Sequence, residues 1–174
     1  IYKNIYGMVY TQPKWSKKII GLEILASILS VGRNSRLVKI LKEDSHLVES
    51  VYVDVNAGEL GGLLILEASC ENKDIELVEK QINRTIEEII NYKTLTMNEI
   101  NKAINTVKSN YVFNLETATQ LSSFFGNELL WGRKSSINKL ENHLKIWTNL
   151  GNFKELTEYI RRDKFTLIAS TTKC

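Results

Sequence analysis

The stretch ILSVGRNSRLVKILKE at residues 28–43, with the segment LVESVYVDVN that follows at residues 47–56, decides the fold of this chain. Gly32 predicts the end of a helix, because many helices end with a glycine in the left-handed backbone conformation. Ser35–Lys42 predicts a second, short helix. Residues 47–56 alternate apolar with polar side chains, which is the pattern of a strand with one buried face. This part of the sequence therefore predicts a helix, a glycine break, a short helix and a strand.

The remainder of the chain predicts a mixture of strands and helices. Strands are predicted at Ile1–Thr11, Leu63–Cys70 and Phe165–Ser170, with the turn of a hairpin at Gly58–Gly62. Apolar residues at helical spacing predict helices at Trp15–Val31, Asp74–Tyr92, Ser136–Thr148 and Asn152–Arg162. Thr96 and Glu99 form a capping box that opens a further helix. This helix is expected to continue, with a break near Asn114, to about Leu130.

Strands interrupted by long helices, with a hairpin among them, predict an α+β fold. We expect a single, mostly antiparallel sheet with long helices packed on one face. A chain of 174 residues can bury about 70% of its unfolded surface, so residues 1–174 are expected to form a single domain. The chain starts inside a predicted strand, not at a methionine, and we therefore expect it to be a fragment of a longer polypeptide.

Composition argues against several classes of partner. The net charge is only +3 and the basic residues are scattered along the chain, so no nucleic-acid partner is expected. No apolar run approaches the roughly 18 residues that a membrane span needs, so no membrane span is expected. The two cysteines, Cys70 and Cys174, form neither a disulfide framework nor a metal-binding spacing, and they leave the cellular compartment open.

The pattern Gly-Arg-x-Ser-Arg-Leu followed by Leu-Lys-Glu, at residues 32–43, resembles the pitrilysin/insulinase-type zinc peptidases. That family includes mitochondrial processing peptidase. The segment TMNEI at residues 96–100 is similar to the helix-opening T-x-x-E-L signature of the family, and the order of predicted elements is similar along essentially the whole chain. The resemblance implies the non-catalytic, C-terminal type of domain of such a peptidase.

The residues that zinc hydrolysis needs are missing from this chain. The family binds zinc through H-x-x-E-H on its first long helix, where this sequence offers only Glu23. Residues 46–50 begin like that motif, but a strand would direct His46 and Glu49 to opposite faces. We expect His46 to lie in a turn, His143 on the solvated surface and Cys70 buried at a strand end. No catalytic residue, no metal ligand and no cofactor are therefore expected here, and the resemblance implies zinc in a partner domain.

Two candidate substrate-binding residues, Lys42 and Glu49, come from the resemblance alone. The family's non-catalytic domain supplies an arginine and a tyrosine, in the pattern L-R-x6-Y, that help to hold substrate. Those positions match Lys42 and Glu49 here. Lysine lacks the planar fork of arginine, and glutamate lacks the phenol donor, so the substrate role is weakened. The alternative is that the two residues form a structural ion pair. The apolar neighbours of Glu49 along the strand suggest that it lies on the helix-covered side, unless a bulge turns it outward.

The sequence thus leads to a catalytically inactive domain of a zinc-peptidase-like protein. It would form part of the substrate chamber and assist peptide binding by a catalytic zinc-binding domain, in the same chain or in a second subunit. Extended peptides bind such proteins largely through main-chain hydrogen bonds. One alternative is a structural or assembly scaffold of the same fold without a proteolytic role. Another is an α+β ligand-binding domain unrelated to the family.

Overall fold

The computed structural model describes residues 2–11, 17–58, 60–91, 94–130, 137–164 and 166–170. The strands are β1 (Tyr2–Thr11), β2 (Val48–Ala57), β3 (Gly62–Glu71) and β4 (Thr166–Ser170). The α-helices are α1 (Lys17–Ser30), α2 (Ile75–Ile90), α3 (Met97–Phe113), α4 (Ala118–Leu130), α5 (Ile137–Ile146) and α6 (Leu150–Thr157). Shorter elements are a π-helical turn, Val38–Asp44, and 3₁₀ turns at Asn72–Asp74 and Arg162–Lys164.

The strands form one sheet in the order β2-β3-β1-β4, and each neighbouring pair is antiparallel. Along the β2–β3 hairpin, Val51 pairs with Ala68 and Val53 pairs with Leu66. These four residues are buried, whereas Tyr52, between the two valines, is exposed. Among the described side chains, helices therefore cover one face of the sheet and leave the opposite face open. The predicted α+β fold with one antiparallel sheet is confirmed.

Helix α1 is buried on all sides and lies between the sheet and the outer helices. It packs against β2 on one side and against α3 on the other, with α5 and α6 also in contact. A helix that is apolar all round is stable only when it is covered all round. Its buried apolar residues are Ile19, Ile20, Leu22, Ile24, Leu25, Ala26, Ile28 and Leu29. The helices therefore stack on one side of the sheet as expected, but α3 packs mainly on α1 and forms a second layer.

The ends of the elements follow the predicted boundaries closely except at α6. The break between α3 and α4 falls at Asn114, as expected. The helix predicted at residues 152–162 instead runs from Leu150 to Thr157. It begins at Leu150 because the Asn149 side chain accepts a hydrogen bond from the Gly151 N–H at 2.8 Å and caps the helix there. The predicted end residues Ile1, Trp15, Tyr92, Ser136 and Phe165 lie outside the described residues.

The end of α1 is tied to β2, which is an edge strand of the sheet. The Val53 N–H donates to the Ser30 hydroxyl at 2.7 Å. That hydroxyl also lies within hydrogen-bonding distance of the Ala26 carbonyl, at 3.3 Å, one turn back along α1. A side chain of the helical layer thus satisfies a main-chain donor of the edge strand, which fixes α1 against β2.

A close approach between α1 and the end of α5 depends on Gly21. Trp147 is 2% exposed and packs edge-to-face on Phe153, with ring centroids 5.7 Å apart. A Cβ atom at position 21 would lie 2.6 Å from two atoms of the Trp147 ring and 2.8 Å from a methyl group of Leu156. Glycine is therefore needed here to let the indole contact the helix backbone.

We predict that Gly21→Ala destabilises the protein, although alanine favours helices more than glycine does. Overpacking of a filled core costs about 1–3 kcal/mol, which exceeds the gain of roughly 1 kcal/mol in helix propensity. The free energy of unfolding should be measured by urea titration.

The matched control is Gly126→Ala in α4, where an added Cβ would meet no atom within 4 Å. This change should stabilise the protein by about 0.5–1 kcal/mol. If both substitutions changed stability in the same direction, the close packing of Trp147 on Gly21 would not be the deciding contact.

Candidate functional site

The turn after α1 positions the short helical segment that carries Lys42. Gly32 has a φ of +87°, which confirms it as a left-handed helix stop. The Gly32 carbonyl then accepts hydrogen bonds from the backbone N–H and the hydroxyl of Ser35, at 3.0 and 2.7 Å. Ser35 is buried. These contacts reverse the chain within four residues and start the next segment in a fixed direction.

Arg36, the next residue, clamps this segment to the start of α3. Its Nε and Nη2 atoms donate to the two carboxylate oxygens of Glu99 at 2.9 and 3.0 Å. The remaining donors reach Thr94, with 2.6 Å to its hydroxyl and 2.7 Å to its carbonyl. The Arg36 side chain is only 12% exposed. A bidentate pair of this kind is geometrically specific, and lysine would not reproduce it.

Glu99 also completes the predicted capping box. The Thr96 hydroxyl accepts from the Glu99 N–H at 3.3 Å, and the Glu99 carboxylate accepts from the Thr96 N–H at 3.0 Å. Burial acts to raise the pKa of Glu99, but hydrogen bonds from Arg36 and Thr96 outweigh it and hold that pKa below its ordinary value. The two sequence motifs that carried the family resemblance are therefore joined through one carboxylate.

Lys42 lies in the last turn of the π-helical segment Val38–Asp44 and is exposed. The neighbouring Leu41 is fully buried, and its carbonyl accepts a hydrogen bond from the Leu47 N–H at 2.8 Å. Arg33 and Glu43 form an exposed ion pair, with Nε 3.0 Å from the carboxylate, that braces the outside of the same loop. Single π-helical turns occur frequently at functional sites. Lys42 is therefore exposed on a segment that the buried Leu41 side chain and its carbonyl hydrogen bond hold in place.

Glu49 is exposed because a β-bulge turns it outward. The register of β2 against β3 shifts between Val48 and Ser50, which leaves Glu49 as the extra residue. Val48 and Val51 are both buried, so the alternation expected from the sequence is interrupted at this point. The bulge is the exception that the sequence analysis allowed for, so Glu49 does not lie on the helix-covered side that its apolar neighbours suggest. The ion pair with Lys42 that was the alternative to a substrate role is absent among the described residues, and both side chains are exposed.

The open face of the sheet carries a contact that the sequence analysis did not single out. The Tyr52 hydroxyl donates to the carboxylate of Glu67, its register partner on β3. Tyr52 is 47% exposed and Ile168 of β4 is 45% exposed, while Leu63 and Ile65 are half-buried. The sequence could have indicated this exposed face, because along β2 and β3 these residues alternate with the buried ones. A solvent-facing side of a sheet that carries so many large apolar groups has the character of a contact surface.

The residues considered as metal ligands do not converge. His46 lies in the turn before β2 with a φ of +51° and is exposed, as predicted. Cys70 is buried at the end of β3, also as predicted, and burial raises the pKa of its thiol. His143 is half-buried on α5 instead of fully solvated. Glu23 accepts a hydrogen bond from the Tyr111 hydroxyl at 3.3 Å. Within the described part of the chain, no three histidine, cysteine or acidic residues are grouped as metal ligands would be.

A comparison with families of known proteins matched the peptidase M16 inactive domain over residues 2–107. The chain belongs to the peptidase M16 inactive-domain family. The absence of H-x-x-E-H from the sequence agrees with this assignment. A search of curated proteins found no match. None of the described helices is long and apolar enough to cross a membrane.

Solved structures share the fold of this M16 inactive domain. A protease from Helicobacter pylori superposes with a TM-score of 0.83 at 16% identity, over 98% of this chain and 41% of that chain. The inactive peptidase domain of a putative zinc protease from Bordetella parapertussis superposes with a TM-score of 0.80 at 15% identity. The match covers 98% of this chain and 93% of that chain. A chain of complex III from Candida albicans superposes with a TM-score of 0.78 at 15% identity. The match covers 97% of this chain and 42% of that chain. This chain therefore spans about two fifths of the Helicobacter protease chain.

We predict that Glu99→Gln lowers the free energy of unfolding near neutral pH by about 1–3 kcal/mol, because it breaks a hydrogen-bonded charge pair. The folded state holds the pKa of Glu99 below its ordinary value, so the ionised carboxylate stabilises the fold above the unfolded pKa of about 4.3. That contribution is lost as the pH falls through the folded pKa. Denaturant titrations from neutral to acidic pH should show the two proteins converging in stability.

Glu87→Gln is the control, since Glu87 is exposed on α2 and its side chain takes part in no hydrogen bond or ion pair within the described part of the chain. Its effect on stability should be small at every pH. A deficit for Glu99→Gln that stayed constant down to strongly acidic pH would contradict the assignment of that deficit to the ionised Glu99 carboxylate.

Proposed function

We propose that this domain forms one wall of a peptide-binding chamber whose zinc-binding, catalytic wall is supplied by another domain. That domain belongs either to the same polypeptide or to a second subunit. Peptide substrate would contact the helix-free face of the sheet, and this domain would perform no chemistry itself. It would hold an extended peptide weakly and keep the catalytic site closed to bulk water.

The observation that carries the proposal is the exposed, partly apolar face of the sheet. An antiparallel sheet often has one solvated face, and that face is then usually polar. Here Tyr52 and Ile168 leave nearly half of their surface in contact with water, and Leu63 and Ile65 are only half-buried. Covering that apolar area with a peptide or an apposed domain would be favourable, at about 25 cal/mol for each Å² removed from water.

Lys42 and Glu49 are proposed to lie at the rim of the same surface. Both are exposed near the start of β2, Lys42 on the anchored π-helical segment and Glu49 at the bulge. Neither forms an ion pair within the described part of the chain, so both charges are available to a peptide. Lysine can bind a carbonyl or carboxylate group as a point charge, and Glu49 can accept a hydrogen bond from a peptide N–H.

A scaffold role without proteolysis is the second candidate. The similarity of fold to a chain of complex III from Candida albicans favours it, because that chain is part of a large assembly. The two proposals differ in whether the remainder of the protein, or its partner subunit, contains an intact H-x-x-E-H motif. They also differ in whether the open face of the sheet meets peptide.

We predict that a bound peptide is labelled from the open face and not from the helical layer. The photoreactive residue p-benzoylphenylalanine would replace Ser50, which is exposed on β2, in the full-length protein with its zinc-binding domain or subunit. A fluorescent, uncharged peptide should crosslink at this position. The same substitution at Lys102, which is exposed on α3, should give no crosslink. Crosslinking at neither position while the peptide is cleaved would exclude the wall proposal and leave the scaffold role.

Kinetics of the same complex test the two rim residues. Lys42→Ala and Glu49→Ala should each raise KM several-fold, with little change in kcat, because they remove contacts made by bound substrate. The control for the lysine is Lys39→Ala, an exposed residue earlier in the same segment. If kcat and KM stayed unchanged while the melting temperature fell, Lys42 and Glu49 would be structural residues.

A further inference from the structure

We infer that the open face of the sheet selects peptides with basic side chains, through the carboxylates of Asp54 and Glu67. This inference rests on the proposed function and adds to it the class of substrate. The partner is an extended peptide segment with lysine or arginine at alternate positions.

The charge of the sheet is opposite in sign to that of the whole chain. The chain carries a net charge of +3, yet β2, β3 and β4 contain no lysine or arginine. Their charged residues are all acidic: Glu49, Asp54, Glu67 and Glu71. The basic residue of β1, Lys3, occupies the register position of Cys70, which is buried on β3. Complementary charge across a surface steers and selects its partner, so this surface favours cationic ligands.

Asp54, on the edge strand β2, and Glu67, on β3, both lie on the open face of the hairpin. Glu71, at the end of β3, already forms an ion pair with Lys73 at 2.8 Å. Asp54 is exposed and forms no hydrogen bond or ion pair within the described part of the chain. Glu67 accepts a hydrogen bond from Tyr52 at Oε2, while its Oε1 has no partner among the described residues.

The Tyr52 hydroxyl fixes the direction of the Glu67 carboxylate before any ligand arrives. Glu67 is half-buried and Tyr52 lies directly opposite it in the register. A carboxylate that is already oriented loses less rotamer entropy when it binds an ammonium or guanidinium group.

The spacing of the two carboxylates suits an extended chain. Asp54 pairs with Ile65 and Tyr52 pairs with Glu67, so the two acidic residues are diagonal neighbours across the hairpin. Diagonal neighbours lie about 7–8 Å apart. Alternate residues of an extended peptide lie roughly 7 Å apart on the same side. One peptide can therefore direct two basic side chains, at positions i and i+2, to both carboxylates.

The test uses three extended peptides of equal length that differ only at two alternate central positions. These positions carry lysine, glutamine or glutamate. Binding to the full-length protein with its zinc-binding domain or subunit is measured near neutral pH by fluorescence anisotropy. The lysine peptide should bind about two- to thirtyfold more tightly than the glutamine peptide, which is the range expected of two partly exposed charge pairs. The glutamate peptide should bind most weakly, and high salt should reduce the differences.

The double variant Asp54→Asn, Glu67→Gln should remove most of the lysine advantage and leave the affinity of the glutamine peptide unchanged. The control is the double variant Glu76→Gln, Glu87→Gln, which removes two exposed acidic residues from α2 and should preserve the advantage. The selectivity inference is wrong if the first double variant keeps the full preference for lysine, or if wild type binds the lysine and glutamine peptides equally. In both cases crosslinking at position 50 would still support the wall proposal, whereas loss of all crosslinking there would overturn both.

Discussion

The bidentate pair between Arg36 and Glu99 is the contact on which the arrangement of this domain depends. It links the segment after α1 to the first turn of α3, although the two residues are 63 positions apart in sequence. The same Glu99 carboxylate caps α3 through Thr96. A single side chain thus sets where α3 begins and where the chain lies after Gly32. Removing either partner would leave a partly buried charge without compensation, which is far more costly than the net gain from forming the pair.

The position of α1 follows from this constraint and from its composition. With α3 held over it, α1 is enclosed between two layers, and most of the side chains that it buries are apolar. Gly21 allows Trp147 to approach the helix axis, and Ser30 attaches the far end of α1 to the edge of β2. All helices described in contact with the sheet lie on the same side. The layer architecture therefore leaves the opposite face of the sheet open for another molecule or domain.

Most of the fold could be predicted from the sequence because its signals are local. Gly32 ends a helix through its backbone freedom, Thr96 and Glu99 cap a helix within one turn, and the valines of β2 alternate with polar residues. The start of α6 was misplaced because Asn149 was not recognised as its N-cap. The stacking of α3 on α1 was also missed, since an apolar stripe shows that a helix is covered but not what covers it.

The candidate site was less predictable because it depends on pairing between strands. The face of Glu49 could not be predicted from the sequence of β2 alone, since a bulge is a property of two strands in register. The contact between Tyr52 and Glu67 requires the same register, and so does the diagonal placement of Asp54. The resemblance places Lys42 and Glu49 where the family pattern has an arginine and a tyrosine, so a carboxylate stands at the bulge in place of a phenol. The adjacent open face also carries the carboxylates of Asp54 and Glu67, so Glu49 adds negative charge beside them. On the proposed function, a carboxylate at position 49 would therefore agree with a surface whose charge favours cationic peptides.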